Sequence, residues 1–268
     1  MTLAIKEILA KSALTPSRIA GIDFALNPYR GCAHGCRYCY ADFMQRFSHH
    51  PEPWGGFVDV KINIAAVLAK ELNRGSGSVV IPSLFGSNHD EPCQDFWRNK
   101  RISLSTVTDP YQPLEKRYQL TRSCLEVLLQ YQVPVSILTK SPLVCRDIDL
   151  IERFHNIEVG LTITTDQDDI RKIFEPSAPA ISDRIAALKQ LHHMGIKTFV
   201  FIGPMLPMDP YRLAVQLKDF IDYFILDKMN YVAKSRGIYY RYHFNDALRP
   251  DYFDRCRTVL TEIFHHGC

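Results

Sequence analysis

The sequence predicts an α/β protein, a partial TIM-type barrel of about six β/α units with a cysteine-rich loop after its first strand. Two observations lead there. Short apolar runs alternate with longer amphipathic segments about six times, the pattern of a parallel sheet with helical crossovers. The chain has 268 residues, 46% of them hydrophobic and 23% charged, which suits six units better than the full eight, for which about 250 residues or more is typical. A doubly wound open sheet shares this periodicity and stays the competing architecture.

Taken in order, the expected strands are residues 25–29, 101–108, 133–139, 157–164, 198–203 and 223–227. The expected helices lie near 64–72, 114–131, 147–154, 181–194 and 211–220. In 181–194, Ile181, Ile185, Leu188 and Leu191 follow the helical period, and Gly195 is a natural stop. Residues 75–100 interrupt the alternation and read as an inserted loop or hairpin beside the barrel mouth. The tail from Arg236, with a last helix near 251–264, reads as an extension packed on the barrel, so one domain is expected over 1–268.

Composition excludes several classes. The longest apolar stretch, from Thr198 to Met208, is cut by Gly203, Pro204 and Pro207, so no membrane span is expected. Lys6, Glu7 and Lys11 break up the N-terminal apolar residues, unlike a secretory leader. A cytoplasmic location follows as the expectation, and the 8 cysteines then point to metal or redox chemistry rather than to a disulfide framework. The net charge of +3 does not by itself indicate nucleic-acid binding.

The sharpest motif is Cys32-Ala33-His34-Gly35-Cys36-Arg37-Tyr38-Cys39, a Cys-x3-Cys-x2-Cys run directly after the first expected strand. Three thiolates on one loop can hold three irons of a [4Fe–4S] cubane and leave the fourth iron open. A zinc site completed by His34 or a distant histidine is the alternative, and with it a non-enzymatic zinc-binding module. Of the remaining cysteines, Cys124 reads as core, while Cys93, Cys145, Cys256 and Cys268 stand alone.

With Tyr38 before the last cysteine, this run resembles the signature of the radical S-adenosylmethionine (SAM) superfamily. The longer string Asn27-Pro28-Tyr29-Arg30-Gly31-Cys32, closed by Tyr38-Cys39-Tyr40, is similar to the spore photoproduct lyase-like branch. The run from Thr108 to Pro113 with Glu115, then Leu138-Thr139-Lys140, then Phe174-Glu175-Pro176 with Arg184, match that branch in the same order. The resemblance implies a [4Fe–4S] cluster on Cys32, Cys36 and Cys39, with SAM at its open iron. It also implies reductive cleavage to a 5′-deoxyadenosyl radical that abstracts hydrogen from a substrate. Tyr40, Thr108, Lys140, Thr162 and Gly203 match SAM-contacting positions, and Tyr38 and Tyr40 match a pair of relay tyrosines. An external electron donor, a flavodoxin or ferredoxin, is implied as partner.

An independent rule converges on the same residues. In parallel α/β barrels the site forms at the C-terminal ends of the strands. Those ends here carry the cysteine run, Thr108 with Asp109, Lys140, Thr162 with Thr164, Gly203, and Asp227 with Lys228. Lys140 suits a carboxylate, and the threonine hydroxyls suit other polar groups of a zwitterion. Glu175 and Arg184 read equally as a structural ion pair and as substrate contacts.

One departure from the lyase pattern concerns Thr106. The lyase has a cysteine three residues before the aspartate that matches Asp109, and that thiol returns a hydrogen atom to the product. The O–H bond of Thr106 is too strong for that role, so nucleic-acid lesion repair here would need Cys93 or a tyrosine instead. The lyase resemblance keeps nucleic acid open as a partner, with Arg98, Lys100, Arg101, Arg236 and Arg241 as basic residues.

Overall fold

A computed structural model of the chain describes residues 3–75 and 94–265. In chain order the strands are β1 (Ala4–Ile8), β2 (Leu14–Pro16), β3 (Phe24–Leu26), β4 (Tyr29–Arg30), β5 (Phe57–Lys61), β6 (Ile102–Leu104), β7 (Val135–Thr139), β8 (Ile157–Thr162), β9 (Lys197–Ile202) and β10 (Tyr223–Leu226). Between β5 and β6 come α1 (Ile64–Gly75) and α2 (Gln94–Arg98), and before β7 come α3 (Glu115–Tyr118) and α4 (Leu120–Gln130). Helix α5 (Ile148–Ile151) precedes β8, α6 (Asp168–Phe174) and α7 (Ile181–His193) precede β9, and α8 (Pro210–Leu217) precedes β10. Two last helices, α9 (Val232–Arg241) and α10 (Tyr252–His265), follow it.

The large sheet has the order β10-β9-β8-β7-β6-β3-β2. Its strands from β3 to β10 are all parallel, and β2 is an antiparallel edge. Each new parallel strand is added on the same side of the last. A doubly wound sheet would reverse that direction at a switch point, so the sheet is the expected six-strand partial barrel. Its central strands are buried on both faces: consecutive residues 135–137 in β7, 158–162 in β8 and 198–200 in β9 are all buried, as a helix-covered parallel sheet requires.

Where the structure departs from the sequence expectation, a specific residue is responsible. The first expected strand is divided. β3 joins the large sheet, whereas β4 turns away to pair with β5 in a small sheet of order β1-β5-β4. Pro28 has no N–H for a ladder, and the Asn27 side chain instead accepts from Thr106 N and Val107 N at 3.0 and 3.1 Å. The second strand stops at Leu104 because Ser105 adopts a left-handed φ of +67°. The expected helix over 114–131 breaks at Gln119 (φ +52°). There the buried Glu115 carboxylate accepts from Thr121 N and Arg122 N, capping the next helix. The expected helix over 147–154 is a 3₁₀ turn, Pro142–Asp147, followed by the single turn of α5.

Of the predicted insertion at 75–100, residues 76–93 lie outside the described residues, Cys93 among them, as does Cys268 at the C-terminus. The insertion's far end is α2, anchored by buried Trp97, whose Nε1 donates to Leu72 O at 3.0 Å. The described part of the C-terminal tail packs on the barrel. Tyr252 Oη donates to Leu206 O at 2.9 Å and accepts from Met208 N, and buried Tyr239 packs on Phe174.

Gly160 in β8 is required by its neighbour, since a Cβ there would overlap the ring of Phe199, itself stacked on Tyr223 at 4.8 Å between centroids. Gly160→Ala is therefore expected to lower stability by about 1–3 kcal/mol in urea unfolding. Adding Phe199→Leu should recover part of that loss, and equal stability of Gly160→Ala and wild type would contradict this packing.

Candidate active site

Cys32, Cys36 and Cys39 follow β4 on a loop whose curl depends on two glycines. Gly31 (φ +88°) and Gly35 (φ +59°) are left-handed. A Cβ on Gly31 would strike the Phe57 carbonyl, and one on Gly55 would come within 2.7 Å of Gly35 Cα. The loop is fastened from several elements. Ala33 N donates to Gln112 Oε1 at 3.0 Å, and Thr108 Oγ1 donates to Gly31 O at 2.6 Å while accepting from Gln112 Nε2. Arg37 N reaches Phe174 O, and Ser177 N reaches His34 O. From α9, Lys234 Nζ donates to Cys39 O at 3.2 Å and pairs with Asp42 at 2.6 Å.

All three cysteines are free thiols lining one cavity of ≈ 220 Å³. Burial, then the Asp109 carboxylate, pushes the Cys32 thiol up to about 12, and burial raises Cys36 and Cys39 as well. Backbone N–H groups of His34 and Asp109 face the Cys32 sulfur and favour its thiolate. Among the described residues no three His, Cys, Asp or Glu side chains converge closely enough to hold a single metal ion. A zinc ion bonded at about 2.3 Å to each sulfur needs such convergence, whereas a cubane spreads three thiolates over three irons. Two buried thiols and one half-buried thiol, all free and lining one cavity, fit the latter group.

The polar centre behind the loop is Glu175, fully buried after α6. Its carboxylate accepts from the hydroxyl of Tyr38, from Thr164 Oγ1 at 3.0 Å and from Arg184 Nη2 at 2.5 Å. Lys140 Nζ lies 3.9 Å away. Burial alone would raise this carboxyl, but Arg184 and then Lys140 outweigh it and hold it at about 2. Burial pulls Lys140 down, yet Glu175 and then Cys36 raise it above its ordinary value, so its ammonium stays charged. That ammonium lines the cavity and makes no hydrogen bond among the described residues.

The predicted residues therefore divide. Tyr38, Tyr40, Thr108, Asp109, Lys140, Thr162 and Gly203 all line the cavity with the cysteines. Thr164 does not: it lies beyond the end of β8 at Thr162, where the strand's alternation no longer applies, and its hydroxyl donates to Glu175. Asp109 lines the cavity, but its carboxylate is occupied by Thr139 Oγ1 at 2.6 Å, Lys140 N at 2.8 Å and Tyr111 N at 2.9 Å, tying two strand ends together. Thr108 has its hydroxyl on Gly31. Half-exposed Tyr40 donates to the Thr106 carbonyl and stacks on Tyr231. Glu175 and Arg184 form the structural ion pair, with no side chain on the cavity wall.

Sequence reading assigned no role to Gln112, Trp54, Ser105 or Tyr231. Gln112 lies one turn beyond Thr108, a spacing that could have marked it. Trp54 and Tyr231 come from irregular segments with no pattern to read. Four buried polar atoms on residues lining the cavity lack a hydrogen-bond partner among the described residues: both ring nitrogens of His34, Trp54 Nε1 and Ser105 Oγ. Such groups are costly unless a ligand or water meets them.

No protein-family model matches the chain. The uncharacterized protein MJ0683 of Methanocaldococcus jannaschii is 34% identical over 240 residues, covering 89% of this chain and 82% of that one. The uncharacterized Rv2578c of Mycobacterium tuberculosis is 32% identical over 214 residues, and the match spans 57% of its length. A Pseudomonas phage M6 protein named radical SAM Nalpha-GlyT isomerase is 26% identical over 161 residues, 33% of its length. Spore photoproduct lyase, solved with bound AdoMet and dinucleoside spore photoproduct, superposes with a TM-score of 0.58 at 17% identity. That superposition covers 89% of this chain and 66% of the lyase.

Two predictions follow from the way the loop is held. Glu175 titrates from 4.5 when unfolded to about 2 when folded, so its stabilisation is complete above about pH 4.5 and is lost as pH falls toward 2. Glu175→Gln should cost roughly 3 kcal/mol at pH 7, with a gap to wild type that closes between pH 5 and 2 in denaturant titrations. A gap independent of pH would refute the assignment. Gln112→Ala should strip Ala33 N of its partner, costing about 1–3 kcal/mol and speeding amide exchange at residues 33–35. Unchanged exchange there would show that the loop is held by other contacts.

Proposed function

The chain belongs to the family of the archaeal protein MJ0683 and has the spore photoproduct lyase-like fold of the radical SAM superfamily, and on that premise we propose that it is a radical SAM enzyme. In this reading Cys32, Cys36 and Cys39 hold a [4Fe–4S] cluster, and the cavity beside them binds SAM. The observation that carries it is the meeting, in one cavity at the strand ends, of three free thiols and the charged, unbonded ammonium of Lys140. When bound, cluster and SAM supply reductive cleavage of the sulfonium and a 5′-deoxyadenosyl radical that abstracts hydrogen from the substrate.

The chain's own residues would then hold the reactants still and dry. Lys140 meets the carboxylate of the zwitterion, and Glu175 fixes the lysine's position without neutralising the cavity. Gly203 leaves the wall bare, because a Cβ there would press on Phe201 and lie 2.9 Å from Asp227 Cβ. Val107, Leu138 and Phe201 give the cavity apolar walls that limit water. The three thiols would release their protons to solvent on ligating iron as thiolates, so cluster loading should become more favourable as pH rises. The one-electron donor is external, a flavodoxin or ferredoxin in this reading. Repair of a nucleic-acid lesion by the same chemistry needs a hydrogen donor other than Thr106.

The test is anaerobic reconstitution with iron and sulfide, reduction with dithionite, addition of SAM and quantification of 5′-deoxyadenosine. The expected result is a brown protein that releases 5′-deoxyadenosine, with both colour and product falling to background in Cys32→Ala. Stoichiometric zinc, with neither cluster nor product, would return the three cysteines to a structural metal site.

A further inference from the structure

His34 sits midway between Cys32 and Cys36, and its ring is 1% exposed. Neither ring nitrogen makes a hydrogen bond among the described residues, although the residue lines the cavity. Leaving a buried imidazole unpaired costs about 1–3 kcal/mol. The ring is not what fastens the loop, since the backbone there is already held by Gln112, Thr108 and the carbonyl of Phe174. The side chain is therefore positioned for something that occupies the cavity.

Its tautomer can be read from its surroundings. Nε2 is 3.6 Å from Asp109 Oδ2. That carboxylate already accepts three hydrogen bonds, from Thr139, Tyr111 and Lys140 N, and has acceptor capacity for a fourth. A neutral imidazole carries one N–H, and with that hydrogen on Nε2 the ring turns its positive edge toward the Asp109 carboxylate at 3.6 Å, an attraction longer than a hydrogen bond. Nδ1 is then a pure acceptor, and it calls for an N–H or O–H on the occupant. Lys140, the cavity's charged donor, serves the opposite end of a zwitterion: it attracts a carboxylate and repels an ammonium.

We infer that His34 is a ligand-contacting residue whose Nδ1 accepts a hydrogen bond from the α-amino group of bound SAM, with Asp109 fixing the ring. The assignment rests on the radical SAM reading above and deepens it, by giving the amino and carboxylate ends of one amino acid separate partners. It also explains why Asp109 is bonded so fully. A carboxylate held by two strand ends is a rigid reference for the ring.

Two amide substitutions separate the ring nitrogens. His34→Asn places a polar atom near Nδ1, whereas His34→Gln places one near Nε2 and leaves the Nδ1 position empty. Each protein is reconstituted anaerobically, and its iron and sulfide contents are measured. Dissociation constants are then determined for SAM and for 5′-methylthioadenosine, which lacks the amino-acid moiety. His34→Gln is expected to bind SAM about tenfold more weakly, His34→Asn within about threefold of wild type, and all three proteins should bind methylthioadenosine alike. Equal SAM affinity in all three, or parallel losses for both ligands, would overturn the assignment. So would loss of cluster from His34→Gln and His34→Asn together, because His34 would then serve loop assembly. A wild-type protein that takes up a cluster but binds no SAM would instead remove the reading on which the assignment stands.

Discussion

The ion pair between Glu175 and Arg184, both fully buried, is the contact from which the rest of the site is suspended. Removing two charges from water is expensive, and their mutual attraction offsets that cost only when every remaining donor and lone pair is met. Here they are. Arg184 donates to Thr162 O at the end of β8 and to Pro179 O before α7, as well as to Glu175. Glu175 takes up Tyr38 from the cysteine loop and Thr164 from just beyond β8. One buried pair thus fixes the relative positions of a strand end, a helix start and the loop that carries three thiols. It also leaves Lys140 charged and, among the described residues, free of hydrogen bonds, the state a lysine needs if its partner is a ligand.

The cysteine loop is pressed into shape from the other side by backbone rather than by charge. The small sheet brings Phe57 beneath Gly31, and Gly55 beneath Gly35, at approaches that no side chain would permit. Asp59 in that sheet is fully buried and bound by Arg30 at 2.7 Å and by His50 at 2.8 Å. The strand that supports the loop is therefore held by its own polar anchor. Loop curvature comes from the small sheet and loop registry from the Gln112–Thr108 pair, and the two come from different parts of the chain.

This division explains what could be read from sequence and what could not. The six parallel strands and the longer helices were legible because each writes a local period of apolar residues, and most of the candidate residues meet in one cavity because strand ends in such a sheet share one rim. The small sheet was not legible. β4 has two residues, and β1 finds its partner β5 about fifty residues away, so neither carries a pattern of its own. Thr164 shows the limit of the strand-end rule: two residues beyond Thr162 it faces a different partner, and only the three-dimensional position of Glu175 decides which. Gln112 and Asp109 show the converse, polar residues whose type suits a ligand but whose hydrogen bonds go to the protein.

The rim is not equally firm all round, and the reason is topological. A six-strand partial barrel leaves a seam between its first and last strands that no ladder closes. Contacts across that seam at the mouth include Tyr40, after the cysteine run, stacked on Tyr231, after β10, and Lys234 donating to Asp42 and to Cys39 O. These groups are partly exposed, and such pairs contribute only about 0–1 kcal/mol each. Behind the loop, by contrast, Glu175 and Arg184 are fully buried and bonded to Tyr38, Thr164, Thr162 and Pro179. The cysteine loop is therefore braced by buried charge on one side and by weaker, partly exposed contacts on the other.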